Sequence, residues 1–224
     1  MKTGTIAVIT GDLINSSQFE TEQLAEIMTK LNKEFKILNL RTGNGEVGFS
    51  ISRGDSFQGI VEDPMEALSI ALGIKAFLNS YNYKNDEATN TSPIVDVRLS
   101  IGIGEANYDL DSINISNGEA FQLSGRILDM MKAGDIKMTI TTPIQDLNDE
   151  FYVHMKFLDS TTDRWSMASA EVVYYFLKGF KEREIAEKLN RSQAAINHRK
   201  KAAGWFEIRL LLKRYKQVIK SNFT

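Results

Sequence analysis

Between residues 20 and 61 the spacing of apolar residues changes from helical to alternate, and this switch of period constrains the fold more than any other feature. In "ETEQLAEIMTKLNKEFKIL", Leu24, Ile27, Met28, Leu31, Phe35 and Leu38 recur at helical spacing, which predicts an amphipathic helix over 20–38. In "EVGFSISRGDSFQGIV", Val47, Phe49 and Ile51 alternate, the run breaks at Arg53-Gly54-Asp55, and Phe57 and Val61 resume it. This predicts a hairpin with Asp55 at its turn.

Upstream, "TIAVIT" (5–10) is a β-branched run without polar interruption, as a strand buried on both faces requires, and Gly11-Asp12 is expected to end it. Asp12 is therefore placed at a strand's carboxyl end. Downstream, Asp63 as N-cap, Pro64 at the first helical position and Glu66 three residues after the cap open a second amphipathic helix, carried by Met65, Leu68, Leu72 and Leu78. "YKNDEATNTSP" (83–93) reads as a solvated loop before the strand "VDVRLSIGIG", and a helix over 118–132 and a strand over 136–141 follow. The order β, α, β, β, α, β, with a further helix and strand, predicts an α+β, ferredoxin-like (palm-type) sheet with helices on one face.

Composition sorts the possible partners. The chain has 224 residues, 42% of them hydrophobic, enough for a real core and for two domains. It has no cysteine, which removes disulfides and thiolate metal sites and suits a reducing, cytoplasmic setting. Ile6–Ile9 is too short an apolar run for a secretory core or a membrane span, so a soluble protein is expected. The net charge of -2 hides a polarised chain: 13 basic and 24 acidic residues lie up to Asp163, against 14 basic and 5 acidic beyond it. An acidic first part suits bound cations, and a basic tail suits a polyanion such as nucleic acid. His154 and His198 are the only histidines, one in each part, so neither a histidine zinc site nor a hydrolase triad can be written.

Asp12 and Asp55 are 43 residues apart, yet the predicted topology makes the first strand and the hairpin neighbours, so their carboxylates can converge. Such a pair supplies hard oxygen ligands for Mg²⁺ or Mn²⁺, which share their remaining positions with water and substrate phosphates. After Asp12, "LINSS" leads toward a helix, where backbone N–H groups and the hydroxyls of Ser16 and Ser17 could cradle a triphosphate. Simpler roles compete: a turn residue for Asp55, an N-cap for Asp12.

The segments "AVITGDLINSS", "SRGDSF", "VRLSIGIGEA" and "GEAFQLSGRIL", in this order, resemble the class III nucleotidyl cyclase catalytic domain over about residues 5–142. Together with "SQAAI" in the tail they look like the SatD family of bacterial proteins. The cyclase resemblance implies that Asp12 and Asp55 are metal ligands, that Gln122 and Arg126 act in catalysis from a partner subunit, and that a purine nucleoside triphosphate is bound. Gln122 stands where those cyclases carry asparagine, and Ile51 where a lysine or glutamate reads the purine. Gln122 and Arg126 are four apart, on one helical face with Glu119 and Asp129, while Ala120, Leu123, Ser124, Ile127 and Met131 are expected to face the core. For Arg126 the competing role is a surface pair with Asp129 or Glu119.

In the tail, "SAEVVYYFLKGFKEREIAEKLNRSQAAINHRKKAAGW" reads as helix, Gly179, helix, an Asn-Arg break, and a third helix capped by Ser192, which resembles a helix-turn-helix of the sigma-region or LuxR-like type. Val173, Phe176 and Leu177 make one stripe, Ile185, Ala186 and Leu189 a second, Ile196 and Ala203 a third. The third helix displays Ser192, Gln193, Asn197, Arg199, Lys200 and Lys201, amides for base edges and cations for phosphates. From Trp205 onward Ile208, Leu212, Tyr215 and Ile219 form a stripe that needs a partner, for which another subunit is one candidate. The expected organisation is a nucleotidyl cyclase-like domain (1–142), a connecting helix (143–166) and an all-α helix-turn-helix domain (167–224). The expected function is a dimeric, DNA-binding transcriptional regulator that senses metal and nucleotide, with no membrane partner. The alternatives are an active metal-dependent nucleotidyl cyclase or nucleotidyl transferase, and an interaction module without catalysis.

Overall fold

The computed structural model describes residues 1–39, 46–52, 54–81 and 95–223. The predicted loop at 83–93 therefore lies outside the described residues. The elements are β1 (Lys2–Leu13), α1 (Thr21–Asn39), β2 (Val47–Ile51), β3 (Ser56–Val61), α2 (Ala67–Asn79), β4 (Val97–Tyr108), β5 (Asn117–Gly118), α3 (Glu119–Met131), β6 (Met138–Thr141) and α4 (Gln145–Thr162). Then come α5 (Met167–Leu177), α6 (Glu182–Lys188), α7 (Gln193–Ala202) and α8 (Trp205–Phe223).

The strands form one sheet in which β2, β3, β1 and β4 pair antiparallel in that spatial order, and β6 joins β4 in parallel. The fold is thus a mixed α/β one, with the order the split βαβ reading requires. Alternation along the strands divides the core. Ala7, Ile9, Phe57, Leu99 and Ile101 face the side packed by α1, α2 and α4, where Phe35 stacks on Phe49 with ring centroids 4.6 Å apart. Ile6, Val8, Ile60 and Ala106 face the other side, covered by α3 through Ala120. The expectation of helices on one face therefore holds for α1, α2 and α4, and fails for α3. Gly102 lets α3 lie directly on β4, since a Cβ there would sit 2.3 Å from the Ala120 carbonyl oxygen.

Two local expectations need correction. β1 does not end at Gly11-Asp12: as the central strand it keeps pairing with β3 and β4 on both sides through Asp12. Gly11 is a point of close approach, because a Cβ there would meet the Phe57 ring at 2.5 Å. Asp63 does cap its helix, accepting from the Met65 N–H at 2.9 Å, but the first turn, Pro64–Glu66, is 3₁₀ and α2 begins at Ala67.

The tail packs on the sheet layer as well as on itself. Val172, Ile185, Ala186 and Ile196 bring α5, α6 and α7 together, with left-handed backbone at Gly179 (φ 87°) and Asn190 (φ 48°) shaping the two turns. Val173, Trp205, Ile208, Tyr215 and Ile219 instead belong to the core that includes the sheet. The stripe on α8 thus finds its partner within the chain: the buried Tyr215 hydroxyl donates to the Pro64 carbonyl at 2.6 Å, and Lys216 pairs with Glu66. On α1, buried Glu34 accepts from the Tyr174 hydroxyl at 2.8 Å and pairs with Lys178 at 2.9 Å, tying α5 to the sheet layer.

Candidate functional site

The register of the central strand builds the site. Asp12 lies opposite Ser56 on one side and Arg98 on the other, and Asp55 immediately precedes Ser56 in the β2–β3 turn. Gly54 takes φ 75° there, a left-handed conformation that costs glycine little and holds the turn tight enough to place Asp55 beside β1. Strands and hairpin thus bring together the two carboxylates the sequence singles out.

Their environments differ. Asp12 is 6% exposed, and its nearest cations are distant for a buried carboxylate: the Arg98 guanidinium at 3.4 Å and the Lys132 ammonium at 3.9 Å. Burial pushes its pKa above the ordinary carboxylate value, Arg98 and Lys132 oppose the rise, and the negative charge of Asp55 adds to it. Asp55 is half-buried and, among the described residues, makes no hydrogen bond or ion pair. No group of three or more His, Asp or Glu side chains suited to a metal gathers among the described residues. A cation here would therefore take two carboxylates and complete its shell with water or phosphate oxygens. One buried carboxylate with only long contacts and one without a partner fit that demand for a hard, weakly chelated ion.

Behind this pair the same face carries a polar row across five strands: Ser50, Gln58, Thr10, Ser100 and Thr139 are successive register partners. The Gln58 amide donates to the Thr10 hydroxyl at 3.1 Å, and Thr10 and Ser124 of α3 share a hydrogen bond of 2.9 Å. After β1, Asn15 adopts φ 55° and leads into a 3₁₀ turn, Ser16–Gln18, which precedes α1. The backbone N–H groups of Asn15, Ser16 and Ser17 donate to no group among the described residues. Ser16 is half-buried and Ser17 exposed. Ile51, at the end of β2, is half-buried.

Gln122 and Arg126 are exposed on α3, on the side away from its buried Ala120, Ser124, Leu128 and Met131. Leu128 joins that inner face, while Leu123 and Ile127 are only half-buried. Neither Gln122 nor Arg126 has a described contact with Asp12, and Asp129 pairs with Lys132 rather than Arg126. Arg98 and Lys132 are the members of the site that sequence reasoning missed. Arg98 carried a usable signal, a charge inside the buried run "VDVRLSIGIG".

In the tail, Ser192 caps α7 by accepting from the Ala195 N–H at 3.2 Å. Gln193 and Lys201 are exposed, but Asn197 and Lys200 both reach Glu182 of α6, and Arg199 pairs with Glu171 of α5 at 3.6 Å. Four of the six residues assigned to DNA thus have partners inside the three-helix unit. No helix among the described residues is long and apolar enough to cross a membrane.

No family model matches the chain, and no curated protein matches it. Among solved structures it is similar to the guanylyl cyclase domain of the RhoGC fusion protein from the aquatic fungus Blastocladiella emersonii, with 19% identity over 69% of this chain and 86% of that one, TM-score 0.45. It is similar to the catalytic core of a rhodopsin-guanylyl cyclase with converted specificity, in complex with ATPαS, at 21% identity over 57% of this chain and 73% of that one, TM-score 0.42. A third is the active GGEEF domain of a diguanylate cyclase from Vibrio cholerae, 15% identical over 62% of this chain and 83% of that one, TM-score 0.41. Likenesses this remote assign no activity to the chain.

Proposed function

We propose that this chain is a metal-dependent nucleotidyl cyclase or nucleotidyl transferase acting on a nucleoside triphosphate at the Asp12–Asp55 end of the sheet. The observation that supports this most is the two-sided register of Asp12, which sets a buried, under-compensated carboxylate beside Asp55 and the cation of Arg98. Asp12 and Asp55 would hold Mg²⁺ or Mn²⁺, which would supply charge neutralisation for the phosphates and a lowered pKa for the attacking hydroxyl. Arg98 and Lys132 would hold the triphosphate from the side opposite Asp55, and the backbone N–H groups of Asn15, Ser16 and Ser17 would donate to its terminal oxygens. In the reaction a hydroxyl oxygen bonds to the α-phosphorus, the bond to the β-phosphate oxygen breaks, pyrophosphate leaves, and the hydroxyl proton passes to solvent. Gln122 and Arg126, turned outward on α3, would serve the site of a second copy, making the working unit a homodimer.

The test is incubation of the chain with each nucleoside triphosphate and Mn²⁺ while pyrophosphate is followed. Release that depends on Asp55 supports the reading. Its absence with all four nucleotides, under conditions where the fold is intact, rejects it.

The arrangement of α5, α6 and α7 favours a second reading, in which the tail binds DNA and the sheet site is a sensor. Capped by Ser192, α7 presents Gln193 and Lys201 to solvent, the former suited to a base edge and the latter to a phosphate. On this reading the chain is a regulator whose DNA contacts come from α7.

A further inference from the structure

β6 is an edge strand, and its outer edge is covered in an unusual way. Leu99 N–H donates to the Lys137 carbonyl at 2.8 Å, which fixes the phase of the parallel ladder. Thr139 and Thr141 then turn their backbone groups toward β4, and Met138, Ile140 and Thr142 turn theirs outward.

α4 runs along that outer edge and meets it through two side chains. Near its start, Asn148 accepts from the Thr142 N–H at 2.7 Å and donates to the Thr142 carbonyl at 2.9 Å, imitating a neighbouring strand. Near its end, Asp159 accepts from the Lys137 N–H at 2.8 Å. Between these two clamps Ile140 is left with its N–H and C=O facing outward, and neither has a partner among the described residues. Ile140 is only 4% exposed, so this is an unpaired donor and acceptor in a largely buried position. Such groups are expensive to leave unmatched.

Ile140 itself lines a cavity of about 450 Å³ at this edge of the sheet, with α3 (Ile127, Met130, Met131) and α4 (Tyr152, Met155) among its walls. Methionine walls accept many shapes, and the volume lies in the range of small-molecule sites. Among the described residues Asp149 is the one charged residue in the lining, so the cavity offers nothing to an anion and a phosphorylated ligand would be repelled. The clamps leave about one residue of strand edge open, too little for a peptide strand to pair.

We infer that this cavity is a binding site for a flat, uncharged heterocycle carrying a hydrogen-bond donor and acceptor on one edge, as a lactam or a free nucleobase does. The donor–acceptor edge meets the backbone of Ile140, and the ring lies between the methionines of α3 and α4. Its lining contains none of Asp12, Asp55, Arg98 and Lys132, and the inference does not depend on the activity proposed for those residues.

The experiment uses the full chain labelled with ¹⁵N and two probes of similar size, quinazolinone, which has the polar edge, and naphthalene, which lacks it. Quinazolinone should shift the Ile140 amide resonance saturably and bind roughly tenfold more tightly than naphthalene. Met130→Trp, at a position 69% exposed on the lip, should block the cavity without disturbing the core and abolish the shift. The inference is overturned if quinazolinone leaves Ile140 unmoved, if the two probes bind equally, or if binding survives in Met130→Trp.

Discussion

The carboxylate end of the sheet and the basic tail treat charge in opposite ways. The tail carries 14 basic against 5 acidic residues, yet five of its cations are tied to carboxylates on other elements: Lys178 to Glu34, Arg199 to Glu171, Lys200 to Glu182, Arg214 to Glu150, Lys216 to Glu66. At the sheet's end the reverse holds: Asp12 is buried with only long contacts, and Asp55 has no partner among the described residues. Net charge along a sequence therefore says where charge is, and only the fold says where it is available. On the proposed function the sheet's end is the place of chemistry, and part of the tail's charge fastens helices.

The largest effect expected from this contrast is on stability. Glu34→Ala would leave Lys178 and the Tyr174 hydroxyl facing an empty, buried position, and breaking such a pair from one side should cost about 3 kcal/mol in urea unfolding. If the loss is below about 1 kcal/mol, the pair is an ordinary surface one and the fastening role fails. Asp55→Ala should do the opposite. It removes no contact among the described residues, so the unfolding midpoint should stay, while pyrophosphate release should fall by at least about 100-fold, as for loss of a metal ligand.

Asp159 asks whether an under-partnered carboxylate is enough to mark a functional site. It is buried, one of its oxygens has no partner, and burial pushes its pKa up to about 6 despite the backbone N–H donors it accepts from. Because the folded value lies above the unfolded one, its contribution to stability is full below about pH 4 and is lost as pH rises through about 6. From pH 4 to 7 the wild type should lose about 2 kcal/mol relative to Asp159→Asn, which keeps an acceptor for the strand N–H groups. Asp12 follows the same sign, since its folded pKa is also raised, so Asp12→Asn should raise the urea midpoint at neutral pH while abolishing turnover. Of the two changes, only Asp12→Asn should touch activity.

What could be read from the sequence followed the range of the interactions. The Asp63-Pro64 cap is local and was legible, as was the period switch that defines α1 and the hairpin. The meeting of Asp12 with Asp55 was legible only because the strand order made the hairpin a neighbour of β1. Arg98 was missed because its role depends on a register between residues 86 positions apart. Glu34 looked like one more polar residue on an amphipathic helix, and nothing local announces that α5 will cover it. The partner of α8 was beyond local reading in the same way: the apolar stripe was plain, but the segment at Pro64 that receives Tyr215 lies 151 residues away.

The smallest effect probes the tail directly. If α7 binds DNA, the cations that matter are those the fold leaves free, so Lys201→Ala should weaken binding uniformly across sequences and reduce the salt slope by about 1. Lys200→Ala should do less, because Lys200 is held by Glu182 and would have to break that pair to reach a phosphate. Filter binding over a salt series separates the two. Equal slopes for both variants would mean that the Lys200–Glu182 pair opens at no cost, and the distinction between fastening and available charge would not hold for the tail. No binding by the unmodified chain at low salt would leave the three-helix unit as a packing element alone, with the sheet site as the working part of the molecule.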